Sequence, residues 1–174
     1  MGVRLATDSR QLSHVLFQWL RRSTIVRTVD LSCTIISGDT LVLIKEAAKH
    51  NPLVSGIILR GASFNADDKG AELQLLRGLL ACMVTEASAS GSDGRLAAQH
   101  GCIRELDWNN HRYEFKISDA WAKVFAQGIR GTRVNDKQLV CTITHLNLGS
   151  NRISTEGAVL LANALATNGI VWFR

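Results

Sequence analysis

The chain has 174 residues and a net charge of +5, and 46% of its residues are hydrophobic while 20% are charged. These values are ordinary for a globular protein, and the single proline leaves no hinge-like linker, so we predict one domain over residues 1–174. No apolar run approaches the roughly 18 to 20 residues that a membrane-spanning helix needs, which excludes membrane insertion.

Five arginines fall within the first thirty residues, but Asp8 and Asp30 interrupt them, which favours a structural helix over an organelle-targeting segment. The cysteines show no paired spacing, which argues against a disulfide framework or a zinc site. We expect them to be reduced, in an intracellular protein of the cytoplasm or of a cytoskeletal, flagellar or organellar assembly. They are Cys33, Cys82, Cys102 and Cys141.

Apolar residues at spacings of three and four predict five helices along the chain. Ser37 or Asp39 can begin the second helix. Trp19 and Trp121 lie on apolar helix faces and Trp108 at an inward strand position, so we predict that all three pack in the core. The helices are predicted over residues 11–22, about 39–50, 68–83 and 118–127, and after Thr155.

One segment contains a complete structural unit. Residues 143–165 read ITHLNLGSNRISTEGAVLLANAL, with apolar spacings of three and two, as in a short strand, and then of three and four, as in a helix. Between them, Asn151 can bond free backbone groups, and Ser154 or Thr155 can cap the helix. Such a unit cannot bury its apolar faces alone, so it must stack on copies of itself.

This segment resembles a repeat of the leucine-rich repeat family, in the ribonuclease-inhibitor-like class that has a helix in every repeat. The resemblance is carried by LNLGSNRI at residues 146–153, Gly157 and LANAL at residues 161–165. It implies an α/β fold: a right-handed solenoid with one parallel sheet on the concave face and helices on the convex face.

The strand positions of this repeat recur elsewhere in the chain as degenerate copies. The steps from Val26 to Val54 and from Ile143 to Val171 are both 28 residues, within the roughly 20 to 29 of this repeat class. The middle steps are longer, at 49 and 40 residues, which predicts loops near residues 85–100 and 128–140. The copies are Val26, Val29 and Leu31; Val54, Ile57 and Leu59; Ile103, Leu106 and Trp108; and a last short strand over 171–173.

Alternation along each strand sends one set of side chains into the core and the other outward, where a partner can bind. The outward charges sum to about minus two although the whole chain is basic, which argues against nucleic acid on this face. We predict a protein-binding surface there, made of Asp30, Ile58, Arg60, Glu105, Asp107, Asn109, His145 and Asn147.

The position of Asn151 recurs as Thr34, Ala62 and His111 in the other repeats. Thr34 and His111 can form hydrogen bonds to the backbone of their turns, whereas Ala62 cannot. We therefore expect water or a neighbouring residue to bond the backbone of the turn that contains Ala62. His100 and Cys102 suggest a catalytic pair, but nothing in the sequence orients them. We expect no catalytic residue, metal or cofactor.

The last strand suggests a second surface. Val171, Trp172 and Phe173 begin a strand with no helix after it, and a solenoid end that exposes apolar residues needs a cover. We expect that another polypeptide, or a second copy of the chain in a homodimer, covers this end, or that the chain is a segment of a longer solenoid whose next repeat covers it.

The sequence therefore predicts a non-catalytic interaction or scaffold subunit of a multi-subunit assembly, with one or more protein partners. The resemblance leaves two alternatives. The first is a small-GTPase regulator of the Ran GTPase-activating type, which would present Asp107 and Asn109 to a basic switch region. The second is a structural subunit associated with RNA or the ribosome.

Overall fold

The computed structural model describes residues 2–4, 10–63, 70–86, 102–110, 116–134, 137–168 and 172–173. Within these residues the chain forms helices α1 (Arg10–Arg22), α2 (Gly38–His50), α3 (Ala71–Met83), α4 (Asp119–Arg130) and α5 (Thr155–Asn168). The strands are β1 (Gly2–Arg4), β2 (Thr28–Asp30), β3 (Gly56–Ile58), β4 (Val84–Glu86), β5 (Glu105–Asp107), β6 (Thr132–Val134), β7 (Lys137–Cys141), β8 (His145–Asn147) and β9 (Trp172–Phe173).

Six of the strands form one parallel sheet in the order β1-β2-β3-β5-β8-β9. Val29, Ile57, Leu106 and Leu146 pair in one row across this sheet, which confirms the strand positions predicted from the repeat spacing. Helices connect successive strands, as parallel pairing requires. Strand β1 adds an edge that the spacing did not predict.

A second, antiparallel sheet has the order β4-β7-β6. We predicted loops here, and that prediction was wrong for residues 85–86, which belong to β4, and for most of 128–140, where α4 runs to Arg130 and β6 and β7 follow. Glycines and basic residues suggested a loop, but Thr132, Val134 and Val140 favour strands. Gly131 has φ +69°, so it can end α4 and turn the chain into β6. Residues 87–100 of the other predicted loop lie outside the described residues.

The inward strand residues share one apolar core with the helices, and the helices pack in chain order, α1 on α2 through to α4 on α5. Trp108 and Trp121 are buried, with ring centroids 5.3 Å apart in an edge-to-face arrangement, which confirms their predicted place. Trp19 is 44% exposed, so its prediction was wrong. On α1 the core is contacted by Leu16 and Leu20, and Trp19 lies on the adjacent stripe.

The predicted start of α2 is confirmed, since the Ser37 hydroxyl accepts a hydrogen bond from the Thr40 N–H at 3.3 Å. Near this start, α2 approaches α3 closely. A Cβ on Gly78 would lie 2.6 Å from the carbonyl oxygen of Gly38, closer than two packed groups can approach. Two glycines thus allow the helices of neighbouring repeats to touch through their backbones.

Candidate protein-interaction surface

The face of the parallel sheet that is turned away from the core carries two rows of side chains. The row Val29, Ile57, Leu106 and Leu146 is buried between them. We call this surface the open face. Its first row is Thr28, Gly56, Glu105 and His145, and its second row is Asp30, Ile58, Asp107 and Asn147.

Three side chains of the second row stabilise the turn that follows their own strand. Asp30, Asp107 and Asn147 each accept a hydrogen bond from the backbone N–H two residues later, at 2.9, 3.2 and 3.0 Å. Such Asx turns bend the chain out of the strand. Ile58 takes the equivalent position in β3 and cannot form this bond. These residues were predicted from the sequence as contacts for a partner, and their role in the turns was not predicted.

Arg60 and Asp107 form an ion pair across two strands. The Arg60 Nε donates to Asp107 Oδ2 at 2.9 Å, and Arg60 Nη2 contacts the same oxygen. Because Asp107 Oδ1 accepts from the Asn109 N–H, both oxygens of this carboxylate are engaged and its orientation is set. The side chain of Arg60 is 54% exposed, so the pair contributes only about 0–1 kcal/mol to stability.

A depression of about 600 Å³ lies between the two rows. Gly56 contributes no side chain there, and a Cβ at this position would lie 2.9 Å from Thr28 Oγ1. Next to it in the row, Glu105 is exposed and its carboxylate forms no ion pair with any described residue. The walls include Ile58, Arg60, Glu105, Asp107, His145 and Asn147. Asp30 and Asn109 are on the same side of the sheet but do not line the depression.

Beyond the strands, Asn151 has the predicted role in its turn. Its Nδ2 donates to the Leu148 carbonyl at 2.9 Å and to the Trp108 carbonyl of the preceding repeat at 2.8 Å. Thr34 Oγ1 donates to the Leu31 carbonyl at 2.7 Å, which confirms its role as well. His111 lies outside the described residues.

Asn110, which the sequence analysis missed, serves the turn that contains Ala62. Its Oδ1 accepts from the Gly61 N–H at 2.8 Å, and its Nδ2 donates to Asn151 Oδ1 at 3.1 Å. The prediction that a neighbour supplies this turn is therefore confirmed. Asn110 is fully buried. Through these hydrogen bonds, Asn110 and Asn151 connect three successive turns. In the sequence, the only indication of this role was that Asn110 directly precedes His111, the residue predicted to bond the turn.

At the other edge, β9 pairs with β8, with Trp172 opposite His145 and Phe173 opposite Leu146. In the described part of the sheet β9 has one neighbouring strand, so its second edge has no strand partner there. Val171 lies outside the described residues.

Among the described residues no group of three or more His, Cys, Asp or Glu side chains could hold a metal ion. Burial raises the pKa of the Cys82 thiol to about 12 and raises that of Cys141, so neither is an activated nucleophile. His145 Nδ1 lies 3.0 Å from Thr144 Oγ1 on the open face. His100, the suggested partner of Cys102, lies outside the described residues.

Comparison with known proteins gives one match. Residues 141–162, which span the end of β7, β8 and part of α5, match the Leucine Rich repeat family model. No curated protein matches the chain. None of the described helices has the length and apolar character that crossing a membrane would require. The matched segment is thus similar to a leucine-rich repeat, and domains built from such repeats generally mediate protein–protein interaction.

Proposed function

We propose that the chain is a non-catalytic protein-binding module, a single leucine-rich repeat domain of the ribonuclease-inhibitor-like class. The parallel sheet with one strand per repeat and a helix between strands supports this proposal. In such a domain the repeats stack as a right-handed solenoid, and the open face is its concave side.

The depression around Gly56 is the observation that carries the proposal. It combines a position without a side chain, a carboxylate at Glu105 that forms no ion pair within the described part of the chain, and a half-exposed guanidinium at Arg60. A partner side chain can enter the depression and pair with Glu105. This is polar recognition on a sheet surface, which fits the binding of a protein partner.

Within this surface the residues have different roles. Glu105 and His145 are exposed in the first row and are proposed to contact the partner directly. The turn-forming side chains and the Arg60–Asp107 pair stabilise the part of the open face next to these two residues. The proposed binding residues are Asp30, Ile58, Arg60, Glu105, Asp107, Asn109, His145 and Asn147.

An affinity-capture experiment tests this proposal. The full chain and the variant Glu105→Arg/His145→Glu are immobilised, and the recovered proteins are quantified by mass spectrometry. A specific partner should fall by about tenfold or more with the variant, because two direct contacts are reversed in charge or replaced. Lys123→Glu on the exposed side of α4 is the control and should leave recovery unchanged. If every recovered protein binds all three chains equally, the open face is not the interface.

We further propose that Val171, Trp172 and Phe173 form a second contact, which makes the chain a scaffold subunit of a larger assembly. The strand edge of β9 supports this, since an unpaired edge can accept a further strand from a partner or a second copy. Trp172→Ser/Phe173→Ser should weaken association, measured by analytical ultracentrifugation, while circular dichroism shows the same helical content. Val159→Ser on α5 is a matched exposed control. Association that is equal in all three chains would contradict this second contact.

A further inference from the structure

The outer side of α1 carries an exposed apolar stripe. Val15 is 68% exposed and Trp19 is 44% exposed, and the two lie one helical turn apart. With His14, Gln18 and Arg22 they line a groove of about 440 Å³. Leu16 and Leu20, about 100° around the helix, are buried in the core. Helix α1 is therefore apolar on two sides, and the described part of the protein covers only one of them.

Helix α1 has fewer helix neighbours than the inner helices of the fold. Within the described residues α2, α3 and α4 each pack against two helices, whereas α1 packs against α2 alone. A further helix laid along the flank of Val15 and Trp19 would use the helix-on-helix packing that the fold already contains.

The charge around the groove indicates what kind of helix fits. The sequence of α1, RQLSHVLFQWLRR, has three arginines and no aspartate or glutamate. Arg21 and Arg22 are exposed, and neither forms an ion pair with any described residue. A complementary surface must supply both apolar side chains for Val15 and Trp19 and carboxylates for the two arginines.

We propose that this flank of α1 is a docking site for an acidic amphipathic helix of a partner protein. The helix places its apolar residues against Val15 and Trp19, and its acidic side chains pair with Arg21 and Arg22. Tryptophan and arginine side by side are the residue types that contribute most to binding at protein interfaces. This surface lies on a helix and is separate from the open face, so the two proposals stand or fall independently.

Two other anionic ligands fit the structure less well. An anionic membrane would need a broad apolar face on α1, but Leu16 and Leu20 are buried in the core, and among the side chains of α1 that the structure describes Val15 and Trp19 are the large exposed hydrophobic ones. Single-stranded nucleic acid would need several aromatic platforms along a basic track. Among the residues that line the groove, Trp19 is the one large aromatic platform, and Val15, Gln18 and Arg22 separate it from any basic track of stacked aromatics.

Three labelled peptides of about 18 residues test the proposal by fluorescence anisotropy with the full chain. They share one leucine stripe and differ in the polar face, which is rich in glutamate, glutamine or lysine. The glutamate peptide should bind most tightly. Val15→Ser/Trp19→Ser should lower its affinity about tenfold, and the exposed substitution Val159→Ser on α5 should not.

The decisive variant is Arg21→Glu/Arg22→Glu. It should lower the affinity for the glutamate peptide about tenfold and raise the affinity for the lysine peptide. A gain of affinity cannot result from unfolding. Lys123→Glu is the charge control. The proposal is overturned if the glutamate peptide does not bind or if the double charge reversal leaves the order of the peptides unchanged. It is also overturned if oligothymidylate or phosphatidylserine vesicles bind more tightly through the same residues.

Discussion

Asp119, in the first turn of α4, caps α5 of the next repeat through Ser154. Its Oδ1 accepts from the Ser154 N–H at 2.8 Å, and its Oδ2 accepts from the Ser154 hydroxyl at 2.6 Å. These bonds, with one from the Gly157 N–H, hold the pKa of the Asp119 carboxyl below its ordinary value. A negative charge at the N-terminus of α5 also complements the helix dipole. One carboxylate thus connects two neighbouring repeats.

Asp119→Asn should make stability less dependent on pH in the acidic range. A carboxyl whose pKa is lowered by folding stabilises the protein above its unfolded pKa of about 3.9, and this contribution is lost as pH falls through the lower folded pKa. Urea unfolding at neutral pH should therefore show the variant to be less stable, and the difference should shrink at the lowest pH. Glu105→Gln is the comparison, because it removes a carboxylate that forms no ion pair within the described residues. A difference that is constant across pH would contradict the proposed cap.

Gly157→Ala should destabilise the protein by about 1–3 kcal/mol, because a Cβ at Gly157 would overlap Asp119 Oδ1. Alanine elsewhere in a helix is favourable, so Asn163→Ala on the exposed side of α5 should be neutral or slightly stabilising. In the double variant with Asp119→Asn the effects should not add, since both act on the same contact. Simple additivity in chemical unfolding would show that the two residues are independent.

Asn110→Ala should cost about 2–3 kcal/mol, because it leaves the Gly61 N–H without its side-chain acceptor and removes the donor to Asn151. Asn110→Asp keeps the acceptor but places a charge beside Asn151 Oδ1, and it should destabilise at least as much. Thermal unfolding of both variants measures this. Stability equal to that of the parent chain would mean that the buried amide is dispensable.

The thiols should differ sharply in reactivity. Cys33 is exposed, whereas Cys82 is fully buried with its pKa raised to about 12 by that burial. The thiolate is the reactive form, so iodoacetamide should label Cys33 readily and Cys82 only after urea is added. Peptide mass mapping at neutral pH identifies the labelled sites. Equal labelling of both in the folded protein would contradict the packing of α3 on α2.

The strand register was predictable because it depends on local alternation. Val29, Ile57, Leu106 and Leu146 follow one spacing rule, and the open face follows from the same rule. The exposure of Trp19 was not predictable from the sequence. Leu16 and Trp19 are both apolar residues of α1, and only the position of the neighbouring elements decides which of the two is buried. The pairing of Asp119 with Ser154 joins residues 35 apart, and no local pattern signals it.

The antiparallel sheet has a consequence for how the protein comes apart. By pairing β4 with β7 it ties the end of α3 to the segment before β8, so the chain between them, including β5 and α4, is closed into a loop. Proteins made of stacked repeats can fray one repeat at a time because each repeat touches only its neighbours. Here the repeat with β5 cannot open without also breaking the pairing of its last strand, β7, with β4 of the preceding repeat. Its amide protons should exchange with solvent together with those of β4 and β7, as one cooperative block.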